Sequence, residues 1–248
     1  MSLKRVGFTA CVALLTGCAI PSLATVAQAY TAGSATSVLV ETTASKLAQS
    51  SQSEQAKQWF DEGWNLLDSQ KPDQALVMFD RVLKLYPNHA PTWFSRGQAL
   101  YGLKRYPDAI AAFKQALKLD ADLAVAWVGL GNALDDSGQP QAALNAYDQA
   151  LQLKSDSAFA WYNKGVTLGR LKRYEEAIAA YDKAIAVEPK HEAAWFNRGI
   201  ALARLKRYRE AIAAFDETLK INPGNENAKK NRDWLQRQVS QSAQPTDV

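Results

Sequence analysis

Apolar and small residues recur along this chain at a spacing of 34 residues. Trp59, Trp93, Trp127, Trp161 and Trp195 form one series, and Gly63, Gly97, Gly131, Gly165 and Gly199 form a second. Ala75, Ala109, Ala143, Ala177 and Ala211 form a third, followed by Phe79, Phe113, Tyr147, Tyr181 and Phe215. Four residue types keep register through five copies without an insertion. A period of this length predicts a solenoid built by stacking one supersecondary unit. Outside the array the pattern changes. Val6–Ile20 is largely apolar, and residues 30–55 are rich in Ser, Thr, Ala and Gln around a small apolar island, Val38-Leu39-Val40. That stretch lacks the apolar mass to fold alone and is expected to be a flexible spacer. The polar tail 240–248 is expected to be disordered.

Within residues 158–191, Trp161, Gly165, Leu168, Ala177, Tyr181, Ala184 and Pro189 resemble the tetratricopeptide repeat, a helix-turn-helix unit of the same length. The resemblance implies an all-α fold: a right-handed superhelical solenoid of five repeats, over 56–89, 90–123, 124–157, 158–191 and 192–225. In the fourth repeat it places helix A near Phe159–Leu171 and helix B near Tyr174–Val187. A glycine inside helix A costs about 1 kcal/mol relative to alanine. The resemblance supplies a compensation: close crossing of the two helices, with Gly63 facing Ala75 and Gly165 facing Ala177. Pro87, Pro189 and Pro223 each follow a helix B, where proline ends a helix without losing a bond. Ala121 and Ser155 replace that proline in the second and third repeats, so those ends are less sharply specified. Asn225 can cap a last helix over 226–239, with Ala228, Leu235 and Trp234 available to cover the open end of the array.

In the family, helix A lines a concave groove. The resemblance carries that role to Phe60, Trp64, Phe94, Tyr101, Phe159, Tyr162, Val166, Phe196 and Ile200, with Arg170 and Arg204 toward the C-terminal end. An apolar groove with a few charges suits an amphipathic helix or an extended peptide of a partner protein. A subset of the family grips chaperone C-termini with Lys and Asn on the first helix A. Phe60 and Trp64 occupy those places here, so that clamp is not expected.

Composition adds mainly exclusions. The formal charge of +4 is modest, and no clustered basic face points to nucleic acid. Both cysteines, Cys11 and Cys18, precede the array, which excludes a disulfide framework within it. His89 and His191 fall three repeats apart, in turns between repeats, and are expected as exposed turn residues that cannot share a metal. Asp135-Asp136 and Glu175-Glu176 are adjacent in sequence and diverge around a helix, so a solvated face accounts for them better than acid-base chemistry. No catalytic residue, metal or cofactor is expected. Lys104-Arg105, Lys172-Arg173 and Lys206-Arg207 recur in the A–B turns beside Asp108, Glu175, Glu176 and Glu210, and read as a solvated edge.

The N-terminus reads as an address. Lys4-Arg5, the apolar run and Ala27-Gln28-Ala29 make an export signal over 1–29, with cleavage before Tyr30. Leu15-Thr16-Gly17-Cys18 resembles a lipoprotein signal, in which Cys18 becomes the lipidated first residue, and an uncleaved anchor is a third alternative. The expected protein is a non-enzymatic, exported scaffold in a periplasm or equivalent lumen, soluble or lipid-anchored. Its expected partner is a protein of an envelope or membrane complex, and its routes to a membrane are a lipidated Cys18 or the basic turns. Two alternatives stay open: an accessory module of a cell-wall enzyme, and a self-assembling scaffold.

Overall fold

A computed structural model describes the backbone of residues 35–242 and the side chains of 45–241. The described residues form eleven helices and no strand. In chain order these are α1 (Ala35–Asp68), α2 (Pro72–Leu85), α3 (Ala90–Gly102), α4 (Tyr106–Leu119), α5 (Ala124–Asp136) and α6 (Pro140–Leu153). There follow α7 (Ala158–Arg170), α8 (Tyr174–Val187), α9 (Glu192–Arg204), α10 (Tyr208–Ile221) and α11 (Glu226–Ser242). The chain divides into two compact units, Met1–Lys104 and Arg105–Val248. Within each unit every helix packs on the next in sequence. The helix pair of the fourth repeat lies within one residue of its expected bounds.

Each A–B turn solves the same terminal problem. In α7 the amide of Lys172 donates to the carbonyl of Gly169 at 3.0 Å, and that of Arg173 to Leu168 at 3.0 Å. This pattern satisfies two orphan carbonyls and needs a left-handed residue between them. Gly138 supplies it in the third repeat at φ 82°, but Gln70, Lys104, Lys172 and Lys206 adopt φ of 56–60° without being glycine. A side chain there is strained by Cβ sterics. Lys172→Gly should therefore raise the unfolding free energy by about 0.5–1 kcal/mol, less what the lysine gains at the negative helix end. Gly138→Ala should lower it by a similar amount, and chemical denaturation of both variants gives the two signs.

The core explains the glycine series and corrects one expectation. A Cβ on Gly63 would lie 2.6 Å from the Phe79 ring, one on Gly165 2.5 Å from the Tyr181 ring, and one on Gly199 2.8 Å from the Phe215 ring. Gly131 meets Tyr147 in the same way. The close partner of each of these four glycines is thus the aromatic of helix B. It is not the alanine four residues earlier, although Ala75 and Ala177 are buried as well. Helix A gives up a side chain so that a ring can lie flush on its backbone.

The tryptophans are half-buried and work partly through their polar end. The indole Nε1–H of Trp93 donates to the carbonyl of Pro87 at 2.7 Å, and that of Trp127 to Ala121 at 3.0 Å. Trp161 reaches Ser155 at 2.9 Å and Trp195 reaches Pro189 at 3.0 Å. The turns bearing Ala121 and Ser155 are therefore held as the proline turns are. Beside these rings runs a ladder of ion pairs between helix B and the next helix A. Asp80 pairs with Arg96 at 2.7 Å, Asp148 with Lys164 at 2.5 Å, Asp182 with Arg198 at 2.6 Å and Asp216 with Arg232 at 3.4 Å.

The flexible spacer expected over 30–55 is not found in its described part, because α1 begins at Ala35. No glycine or proline interrupts residues 35–62. The Ser50, Ser51 and Ser53 hydroxyls donate back to the carbonyls of Leu47, Ala48 and Ser50, which removes their competition with the helix. Side chains over 45–55 remain mostly exposed, so this part is helix without core. The export signal and Cys18 lie outside the described residues. At the other end Asn225 caps α11 as expected, its Oδ1 accepting from Ala228 N at 2.9 Å, and the helix runs on to Ser242.

Candidate functional site

Each unit presents its own helix-A face. In the first, α1 and α3 bring Trp64, Leu67, Asp68, Gln98 and Tyr101 around an open cleft of about 570 Å³. Trp64 stands on a buried aromatic cluster, its ring centroid 6.5 Å from Phe60, 6.5 Å from Phe79 and 6.4 Å from Phe94. Phe60 and Phe94 are only 6% and 8% exposed, so these two expected groove residues are core. Phe60 packs on Phe79 of α2 at a centroid distance of 6.0 Å and Phe94 lies against Trp64, and burying a phenylalanine there is worth more than presenting it.

In the second unit α7 and α9 carry the remaining expected residues. Phe159 is 55% exposed at the start of α7. Tyr162 is half-buried, with its ring 4.8 Å from that of His191 and its hydroxyl accepting from Asn197 Nδ2 at 3.1 Å. Burial raises the Tyr162 phenol pKa, against the Asn197 bond, so it stays protonated at neutral pH. Val166, Phe196 and Ile200 pack partly on the core and keep partial exposure. A second cleft of about 450 Å³, lined by His191, Ala193, Phe196 and Asn225 among others, opens at the turn before α9.

The charges on this face are arranged in a way the sequence reading missed. Arg170 Nη1 donates to Asp135 Oδ2 at 2.8 Å and to Asp136 Oδ1 at 3.3 Å, one repeat back. The buried Thr167 hydroxyl donates to the same Asp135 oxygen at 2.9 Å. Asp135 is therefore no solvated residue: its side chain is 9% exposed. Burial works against the Arg170 charge, but Asp135 and Asp136 together outweigh it and raise its pKa. The available signal was the 35-residue offset from an acid to the arginine of the next repeat. Arg204, the next step along, has no ion pair among the described residues.

The basic turns are half-neutralised. Arg173 is bonded to Glu176 and Arg207 to Glu210, each with two hydrogen bonds of 2.5–2.7 Å. Those bonds lower the pKa of both glutamates and raise that of both arginines, so the net cation at each of these turns is the lysine. The histidines are half-buried, which corrects the expectation of exposed turn residues. His89 Nδ1 lies 2.7 Å from the Thr92 hydroxyl in the first turn of α3, and His191 Nδ1 accepts from Ala194 N at 3.3 Å and so caps α9. Among the described residues no three His, Cys, Asp or Glu side chains come together to hold a metal. No described helix is long and apolar enough to cross a membrane.

The family model described as tetratricopeptide repeat matches residues 60–124, 128–186 and 168–226. The chain belongs to the tetratricopeptide-repeat family. No curated protein matches the sequence. Among solved structures, the repeats resemble the MamA protein at 27% identity and a TM-score of 0.60, over 70% of this chain and 95% of that one. They also resemble YrrB, a tetratricopeptide protein with an unusual peptide-binding site, at 22% identity and a TM-score of 0.61, over 76% and 97%. A Thermus thermophilus tetratricopeptide protein shares the fold at 17% identity and a TM-score of 0.59, over 73% and 98%. The glycine–aromatic contacts and indole ties above are how this chain builds its tetratricopeptide repeats.

Proposed function

We propose that this chain is a non-enzymatic scaffold that holds a segment of a partner protein on its helix-A faces. The observation that carries the reading is the apolar surface left on those faces: Phe159 more than half exposed, Trp64 in an open cleft, and Val166, Phe196 and Ile200 partly uncovered. Helices that bury their own rings so thoroughly elsewhere would bury these too if packing alone placed them. The peptide-binding site named for YrrB supports the same class of partner. The N-terminal pattern of Lys4-Arg5, apolar run and Ala27-Gln28-Ala29 adds export and a role in assembling an envelope or membrane complex, soluble or anchored through Cys18.

Crosslinking in cells identifies the partner, and Trp64→Glu and Phe159→Glu test the faces. Capture should fall about tenfold or more for each variant, as expected for a charge placed in an apolar contact, with the helical spectrum intact. Undiminished capture would refute the reading. Mass spectrometry of the mature chain separates a start at Tyr30 from a lipidated Cys18. A second reading, an accessory module on an envelope polymer, rests on one observation: Trp64, Tyr101 and Asp68 share one cleft, as stacking rings and a carboxylate do in sugar sites. Retention on cell-wall polymer that is lost in Trp64→Ala would favour it.

A further inference from the structure

The last helix is more than a lid. Glu226 opens α11 as Glu192, 34 residues earlier, opens α9. Asn225 caps the one as His191 caps the other. Arg232 reaches Asp216 as Arg198 reaches Asp182. Ala228 and Leu235 are buried in the same core as Ala194 and Ala201. α11 is thus a sixth helix A in register, and its outward positions continue the binding face. The counterpart of Phe196 is Lys230, that of Ile200 is Trp234, and that of Ala203 is Arg237.

Trp234 is expected to cover the end of the array together with Ala228 and Leu235, but it is 48% exposed, with its ring edge-on to Tyr208 at 6.5 Å. Ala228 and Leu235 do the covering. Of the seven tryptophans, five stand in the repeat series; Trp64 and Trp234 share the other register position, the one held by Val166 and Ile200. Around Trp234 the cations are unmatched. Arg204, Lys230 and Arg237 have no ion pair among the described residues, whereas Arg96, Lys164, Arg170, Arg198 and Arg232 each do. α11 carries four basic residues against two acidic ones. The Arg170 bonds to Asp135 and Asp136 show that residues 34–35 apart on this face touch. The same step from Arg204 reaches Gln238 and Val239 on one side and Gly169 and Arg170 on the other, so no acid is within that reach, and Arg237 stands one residue before Gln238.

We propose that the α9–α11 end of this face binds an acidic amphipathic segment of a partner protein, with an apolar side chain on Ile200 and Trp234 and carboxylates on Arg204 and Arg237. The proposal rests on the scaffold reading above and deepens it. Unpaired guanidinium groups around an exposed indole complement apolar side chains flanked by carboxylates, and arginine holds a carboxylate with two parallel bonds.

The test uses the full chain and two labelled helical peptides, one with leucine at i, i+3, i+4 and i+7 and glutamate elsewhere, the other with glutamine in place of glutamate. Fluorescence anisotropy should show saturable binding of the glutamate peptide that weakens as salt rises, and much weaker binding of the glutamine peptide. Trp234→Ala, and separately the exposed pair Arg204→Glu with Arg237→Glu, should each weaken it about tenfold or more, with helix content unchanged. Equal binding of both peptides, no binding of either, or indifference to the arginine pair would overturn the proposal. So would preference for phosphatidylglycerol vesicles or single-stranded oligonucleotide over the glutamate peptide. If partner capture falls with Trp64→Glu and Phe159→Glu while the α11 variants bind the peptide as before, the scaffold reading survives and this inference fails.

Discussion

Replacing Phe215 with alanine is expected to lower the unfolding free energy by about 3–5 kcal/mol, enough to melt the C-terminal repeat first. The ring is fully buried, lies across Gly199 with the would-be Cβ contact at 2.8 Å, and packs on Phe196 at a centroid distance of 5.7 Å. Gly199, which the ring covers, has no side chain to fill the space. In a stacked array stability is a sum of unit and neighbour terms, so a loss in α10 also loosens α9 and α11. Circular dichroism during denaturation should show an early transition in the variant, and amide exchange should place it in residues 192–242. A single transition unchanged in midpoint would contradict the packing described here.

The second large effect carries an unusual sign. Gly165→Ala improves helix propensity by about 1 kcal/mol, so on propensity alone it should stabilise. The structure demands the opposite. The added methyl would sit 2.5–3.0 Å from three atoms of the buried Tyr181 ring, and overpacking of this kind costs about 1–3 kcal/mol or more. The net expectation is destabilisation. In a Tyr181→Ala background the clash is gone, and the same Gly165→Ala change should become stabilising by about the propensity term. A double-mutant cycle by chemical denaturation reads both signs, and the same sign in both backgrounds would refute the glycine–ring contact.

How far the molecule could be read in advance follows from which forces are local. Repeat length, helix pairing and the Pro-terminated helices were legible because each repeat packs on its neighbours by one rule, and Trp161, Gly165 and Tyr181 state that rule in sequence. The partner of glycine was misassigned because Ala177 and Tyr181 lie one turn apart on the same face, and periodicity alone does not say which is nearer. Residues 35–55 look like spacer by composition, yet nothing in them stops a helix, and hydroxyl-to-carbonyl bonds remove the usual objection to serine. On the helix-A faces, position in the register did not reveal burial: Phe60 and Phe94 sink into the core, while Phe159 does not. Asp135 resisted reading because its partners, Thr167 and Arg170, lie a full repeat away. Of the three residues expected to cover the end of the array, Ala228 and Leu235 are buried and Trp234 is not, because it sits at an outward position of α11.

The indole ties have a consequence for how such a chain can evolve. Each ring finds an acceptor on the main chain six residues earlier, and every residue type offers that acceptor equally. Composition of the connecting segment can therefore drift, as Pro87, Ala121, Ser155 and Pro189 illustrate. Its length cannot: adding or deleting one residue would swing the oxygen out of reach and leave an indole donor stranded. Unbroken spacing, with loosely chosen letters inside it, is what natural variation around these tryptophans should preserve.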